Sequence, residues 1–153
     1  MRIVIGDIWA EWEKSSGSIV IPTNVGYRKN GSNVMGLGLA KDAARRWPEL
    51  PAWYGRFCML YGAGAFPIRY DEVRSVILLP VKPFDAVTPH LSWKAKADLK
   101  LIESSVEALA KFYGTEPIYV PMVGCGNGKL KDLDVLPILE RHLTDERFVL
   151  VKR

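Results

Sequence analysis

Residues 120–130 read VPMVGCGNGKL. The stretch opens on an apolar run with the character of a buried strand, and a helical pattern follows within a few residues. Between them Gly124, Gly126 and Gly128 alternate with Cys125 and Asn127. Glycine costs backbone entropy, so a loop with three of them needs positive φ or the close approach of something to bare backbone. A strand handing over to a helix through such a loop is an α/β arrangement, in which ligands sit where strands end and loops lead into helices.

Working outward, the same alternation recurs. Strand patterns fall at RIVIGDIW (2–9), SIVIPTN (18–24), SVILLPV (75–81), PIYVPMV (117–123) and RFVLVK (147–152). Several are apolar at consecutive positions, which predicts strands covered on both faces. Helical spacing predicts helices over 34–47, stopped by Pro48, and over 50–61, with Trp53, Phe57 and Leu60 or Tyr61 in register. The longest helical pattern runs over 92–113. It carries an apolar stripe of Leu99, Ile102, Val106, Leu109 and Phe112, with Ser92 as N-cap and Gly114 as stop. A last helix is expected over 133–143, with Asp134 as N-cap so that Pro137 falls in its first turn. The prediction is an α/β sandwich with a mixed or largely parallel sheet.

A second glycine loop shares the functional edge. TNVGYRKNGSNVMGLGLAKD leaves the strand 18–24 and runs into a helical pattern that starts around Val34. Gly36 and Gly38 there would turn backbone N–H groups toward a phosphate, aided by the helix dipole. Its G-x-G-x-x-K spacing differs from the dinucleotide fingerprint, and close helix packing would explain the glycines equally well. Two such loops could hold the two phosphates of a pyrophosphate between them.

Polar residues mark the strand ends. Asp7 lies inside an apolar first strand, where an acid needs a donor: a nucleobase amino group, or the N–H of a neighbouring turn. Asn24 could face a sugar hydroxyl or form an Asx-turn. Lys82 closes the strand 75–81, where a lysine can contact an anion or, if desolvated, act in acid–base chemistry. His90 and His142 have no evident partners, and neither a Ser/His/Asp set nor a metal-ligand spacing occurs.

Length and composition bound the rest. The 153 residues suit one domain, 1–153. No apolar run is long enough for a membrane span, and MRIVIGDIW is read as a strand rather than a secretory leader. Cys58 and Cys125 are too few for a disulfide scaffold and are expected as reduced thiols in a cytoplasmic protein. The net charge of +4 is concentrated. Between residues 15 and 70, Arg28, Lys29, Lys41, Arg45, Arg46, Arg56 and Arg69 face only Asp42 and Glu49. Such a surplus would attract a phosphate-bearing ligand or nucleic acid, or simply keep the surface solvated.

Together, GDI (6–8), IPTN (21–24), VMGLGLAKDAARRWP (34–48), LPVK (79–82) and PMVGCGNGKL with DVLPILE (121–140) resemble a macrodomain, in order and over nearly the whole chain. The likeness is to the branch of the DNA ADP-ribose glycohydrolase antitoxins, the terminal ADP-ribose protein glycohydrolase and the yeast-type ADP-ribose-1″-phosphatase. The resemblance implies a three-layer α/β/α sandwich with a mixed, largely parallel six-stranded sheet, and ADP-ribose bound across the strand ends. By position, Asp7 would accept from the adenine amino group and the Ile8 N–H would donate nearby. Asn24 would face the distal ribose. Met35, Gly36, Leu37 and Gly38 would wrap the pyrophosphate from one side, and Gly124, Cys125, Gly126, Asn127 and Gly128 from the other.

Lys82 matches the lysine of the antitoxin-like glycohydrolases, which implies attack or assistance at the distal ribose C1″ and requires a lowered amine pKa. Two departures stand out. Gly128 occupies the place of the acid in the terminal protein glycohydrolase. The stretch 25–33 is long, and it puts Tyr27, Arg28 and Lys29 beside the expected distal ribose. It could hold a nucleic-acid strand through the basic 25–46 region, or be a flexible solubilising insertion.

The implied function is hydrolysis of an ADP-ribosyl linkage on DNA or protein. An ADP-ribose-1″-phosphatase, a non-catalytic ADP-ribose reader and a plain nucleic-acid-binding protein are the alternatives. No metal or cofactor is implied beyond ADP-ribose as ligand or product, and a monomer is expected.

Overall fold

The computed structural model describes all residues, 1–153. Six strands are present: β1 (Arg2–Ile5), β2 (Ser18–Asn24), β3 (Ile68–Arg69), β4 (Val76–Lys82), β5 (Ile118–Val120) and β6 (Phe148–Lys152). They form one sheet in the order β1-β6-β5-β2-β4-β3, parallel throughout except where β3 runs antiparallel to β4. Five helices flank it: α1 (Ile8–Glu13), α2 (Gly38–Arg46), α3 (Leu50–Tyr61), α4 (Leu99–Ala110) and α5 (Asp132–His142). No helix is long and apolar enough to cross a membrane.

The consecutive apolar residues of the central strands are explained by two cores. In β2, Ile19 and Ile21 join the core under α1–α3, while Val20 points into the core under α4 and α5. In β4, Val76 and Leu78 face the first core, and Ile77, Leu79 and Val81 face the second. Full burial of each such side chain contributes about 1.5–3 kcal/mol. The first strand is the exception. Ile3 and Ile5 remain 53% and 71% exposed because β1 lies at the sheet edge and only one of its faces is covered.

Four expectations are corrected. The first strand does not reach residue 9. It stops at Ile5, and Asp7 caps α1, its Oδ1 accepting the Trp9 N–H at 3.0 Å. Asp7 is exposed, so no buried acid needs rescue. The second helix starts at Gly38 rather than Val34, because Leu37 is extended (φ −139°, ψ 152°) and Gly38 turns left-handed (φ 58°). The pattern over 92–113 divides into a 3₁₀ turn, Pro89–Lys94, and then α4. Between them the Ala97 N–H donates to the Gly128 carbonyl and the Asp98 N–H to the Val81 carbonyl, which breaks the helical ladder. Asp98, not Ser92, is the cap, and its carboxylate accepts the Leu101 N–H at 3.1 Å. Finally, α5 starts at Asp132 with Lys131 at its cap, so Pro137 lies beyond the first turn. The carbonyl that loses its partner to Pro137 belongs to Leu133, which is exposed and open to hydration.

The stretch 25–33 is anchored at its two ends, while Arg28, Lys29 and Asn30 between them are exposed. Asn33 is buried, and its side-chain Nδ2 donates to the Gly26 carbonyl at 2.8 Å and to Asn24 Oδ1 at 2.9 Å. Gly31 sits so close to Gly55 of α3 that a Cβ on Gly55 would lie 1.8 Å from the Gly31 oxygen.

Candidate functional site

Because β1, β2, β4, β5 and β6 are parallel, their carboxyl ends share one edge. There a cleft of about 780 Å³ opens. Gly6 and Ile8 line it beside β1 and Val151 beside β6, Asn24 closes β2, and Lys82 closes β4. The loops 34–38 and 124–128 form its walls. They touch, since a Cβ on Gly38 would meet Asn127 Nδ2 at 2.9 Å.

The glycines divide into two kinds. Gly124 has φ 77°, and a Cβ on it would lie 2.7 Å from Ile102 Cδ1. At Gly128 a Cβ would lie 2.4 Å from the Gly124 carbonyl oxygen. The fold therefore demands both. Gly36 and Gly126 differ, for neither has a positive φ and an added Cβ would meet nothing within 4 Å. Their bare backbones face the cleft without any packing reason. Nearby Lys129 is the sole non-glycine residue with positive φ (64°).

At the far end Asn24 and Lys82 are register partners across β2 and β4, next to an irregularity in the pairing. Asn24 forms the Asx-turn: its Oδ1 accepts the Gly26 N–H at 3.0 Å, and its Nδ2 donates to the Val34 carbonyl at 2.8 Å. It still lines the cleft. The half-buried Lys82 Nζ donates to the Trp93 carbonyl at 2.7 Å. Loss of solvation lowers its pKa from the ordinary lysine value, and the charge of Lys129 adds to the effect. No carboxylate pairs with it.

Most of the expected site residues meet in this cleft: Ile8, Asn24, Gly36, Leu37, Gly38, Lys82 and all of 124–128 line it. Met35 does not, because its side chain is buried in the core beneath α1–α3. Asp7 lies outside the lining, one residue from Gly6 and Ile8. Cys125 is no nucleophile at neutral pH. Burial first, and then Asp132 and Asp134, push its thiol up to about 12. His142 contacts Glu103 at 3.0 Å on the helical face, and His90 is absent from the cleft.

No family model and no curated protein matches the sequence. Solved structures do. The macrodomain of Thermus aquaticus DarG matches with a TM-score of 0.74 at 22% identity, over 99% of this chain and 97% of that one. The macrodomain of Mycobacterium tuberculosis DarG matches with a TM-score of 0.70 at 23% identity, over 99% and 97%. Thermosipho africanus DarTG in complex with ADP-ribose matches with a TM-score of 0.73 at 22% identity. That match takes in 99% of this chain, which spans 41% of the DarTG chain.

The fold is a macrodomain. Its cleft also holds Arg28, which the sequence placed beside the expected distal ribose, together with three residues that were not expected there: Asp42, Trp93 and Asp132. Asp42 accepts the Trp9 Nε1–H at 3.2 Å, so one of its oxygens is engaged. Trp93 enters because the 3₁₀ turn packs onto Gly26, whose Cβ would lie 2.0 Å from the Pro89 carbonyl oxygen. For Asp42 and Asp132 the signal in the sequence was a charge four residues after a glycine loop, whereas Trp93 gave none. The basic surplus of the N-terminal half is dispersed. Arg46 pairs with Glu13 at 2.9 Å and stacks over Trp9 at 4.1 Å, while Arg69 pairs with Glu116 at 3.1 Å.

Proposed function

We propose that this macrodomain binds ADP-ribose and hydrolyses an ADP-ribosyl linkage on a macromolecule, with Lys82 as the catalytic residue. One observation carries the proposal. Gly36 and Gly126 present backbone without a packing need on opposite walls of a cleft that ends at a desolvated lysine. A pyrophosphate between the two loops would take hydrogen bonds from N–H groups at a helix start and in a nest-like turn. The complex of DarTG with ADP-ribose supports the same ligand.

The distal ribose would then lie by Asn24 and Lys82. Attack by the neutral amine forms a bond from Nζ to C1″ as the bond from C1″ to the macromolecule breaks. The departing group leaves with those electrons and takes up a proton. Ring opening makes the adduct a protonated imine, and water hydrolyses it to ADP-ribose and the free amine. The lowered Lys82 pKa raises the fraction of neutral amine near neutral pH.

Calorimetric titration with ADP-ribose, against AMP and ribose 5-phosphate, tests the pocket. Binding of the whole ligand in the micromolar range, and much weaker binding of the halves, is expected. Lys82→Ala is expected to keep that binding and to lose turnover of ADP-ribosylated DNA or protein. Retained turnover in that variant would refute the role of Lys82. Binding without turnover in the wild type would make the protein a reader. Phosphate release from ADP-ribose-1″-phosphate alone would make it a phosphatase.

A further inference from the structure

We infer that Asp132 is the specificity residue for the adenosine ribose, its carboxylate accepting hydrogen bonds from the vicinal 2′- and 3′-hydroxyls. The inference rests on the proposed ADP-ribose site.

Two carboxylates line the cleft, Asp42 and Asp132. Asp42 is engaged by the Trp9 indole. Asp132 is not engaged by any nitrogen donor, and none of the ion pairs in the structure includes it. It begins α5 without serving as the cap, which falls at Lys131. Its one neighbouring donor is the Cys125 thiol, which also lies 3.6 Å from the Val123 carbonyl. Asp132 is exposed, so water meets its carboxylate in the free protein, and a hydroxyl or amino donor on a ligand in the cleft can replace that water.

The topology says which part of the ligand it meets. The second glycine loop has two ends. Gly128 is bonded to Ala97 ahead of α4, and Lys129 acts on Lys82, so this end lies on the β4 side. Cys125 and Asp132 form the other end, and α5 connects β5 to β6. The carboxylate therefore lies toward β6 and β1, where Gly6, Ile8 and Val151 line the cleft. With the distal ribose at Lys82 and the pyrophosphate between the loops, the next group along the ligand is the adenosine ribose. Its cis-diol offers two donors at a spacing that a carboxylate's two oxygens can accept, the use made of an acid in dinucleotide sites.

The test is a mutant–ligand cycle by calorimetry with wild type and Asp132→Asn, each titrated with ADP-ribose and with its adenosine 2′-deoxy and 3′-deoxy analogues. Wild type is expected to bind at least one deoxy analogue about tenfold or more weakly, as befits loss of a hydrogen bond to a charged acceptor. In Asp132→Asn that ratio is expected to shrink several-fold. The ratio compares two ligands on one protein, so a general weakening of the variant cancels. An equal ratio in both proteins, or no discrimination by wild type, overturns the inference alone. Failure of wild type to bind ADP-ribose overturns the site, and the inference with it.

Discussion

Alanine at Gly126 and at Gly124 should separate binding from folding. An added Cβ at Gly126 meets nothing within 4 Å, and no left-handed φ is at stake. The apo protein should therefore change by no more than about 0.5 kcal/mol toward instability, or gain up to about 1 kcal/mol from a less flexible unfolded chain. At roughly 2–4 °C per kcal/mol for a chain of this size, Tm moves by a few degrees at most. Gly124 is the opposite case. A left-handed alanine costs about 1–2 kcal/mol, and forcing a methyl to 2.7 Å from Ile102 adds about 1–3 kcal/mol of overpacking. Its Tm should fall by roughly 5–15 °C. With ADP-ribose at about 100 times its Kd, wild type gains about 2.7 kcal/mol, a rise of roughly 5–10 °C. A methyl at Gly126 would occupy space meant for a phosphate oxygen, and a tenfold loss of affinity would halve that rise. Scanning calorimetry of the three proteins with and without ligand provides the readout. The reasoning is refuted if Gly126→Ala destabilises the apo protein as much as Gly124→Ala does, or if it keeps the full ligand-induced rise.

Further outcomes follow from the same geometry. Turnover should rise with pH toward a plateau at the lowered Lys82 pKa, below the ordinary 10.5, because the neutral amine is the reactive form; a rate that falls as pH rises from 6 to 9 would contradict a lysine nucleophile. Lys82→Met should abolish turnover while holding or raising Tm at neutral pH, since a desolvated charge is removed. The unfolded lysine keeps its proton to higher pH than the folded one, so wild-type stability recovers as pH rises through the folded pKa, and the Tm gap to Lys82→Met should narrow. Gly55→Ala should lower Tm by several degrees, because its methyl would collide with the Gly31 carbonyl and displace the stretch 25–33 from α3. At pH 8, iodoacetamide should label neither Cys58 nor Cys125 quickly in the native protein, as both thiols are pushed up to about 12 by burial, whereas unfolding in urea should expose both.

Elements with a buried stripe at regular spacing were legible from sequence. The pattern over 18–24 became β2 and the pattern over 50–61 became α3, with the bounds expected, because periodicity reports burial: β2 is buried at all positions but Pro22, and Leu50, Tyr54, Phe57 and Cys58 give α3 a buried stripe, although Leu60 and Tyr61 in its last turn are exposed. The resemblance to macrodomains likewise anticipated the mixed sheet, since its motifs sit at the strand ends that the fold aligns. Short or interrupted elements were not legible. A two-residue edge strand such as β3 has no period to detect, and α1 begins within what reads as one apolar run.

The candidate site divides in the same way. Local chemistry announced a glycine loop after a strand, a lysine at a strand end and an asparagine suited to an Asx-turn, all from neighbours in the chain. Only the tertiary structure distinguished Gly124 and Gly128, held by Ile102, Ala97 and each other, from Gly36 and Gly126, which face open space. It also set Asn24 beside Lys82, stripped water from that lysine, and brought Trp93 and Asp132 into the cleft. These properties depend on atoms distant in sequence that meet only when the sheet and its two helical layers close, and a local pattern carries no record of that meeting.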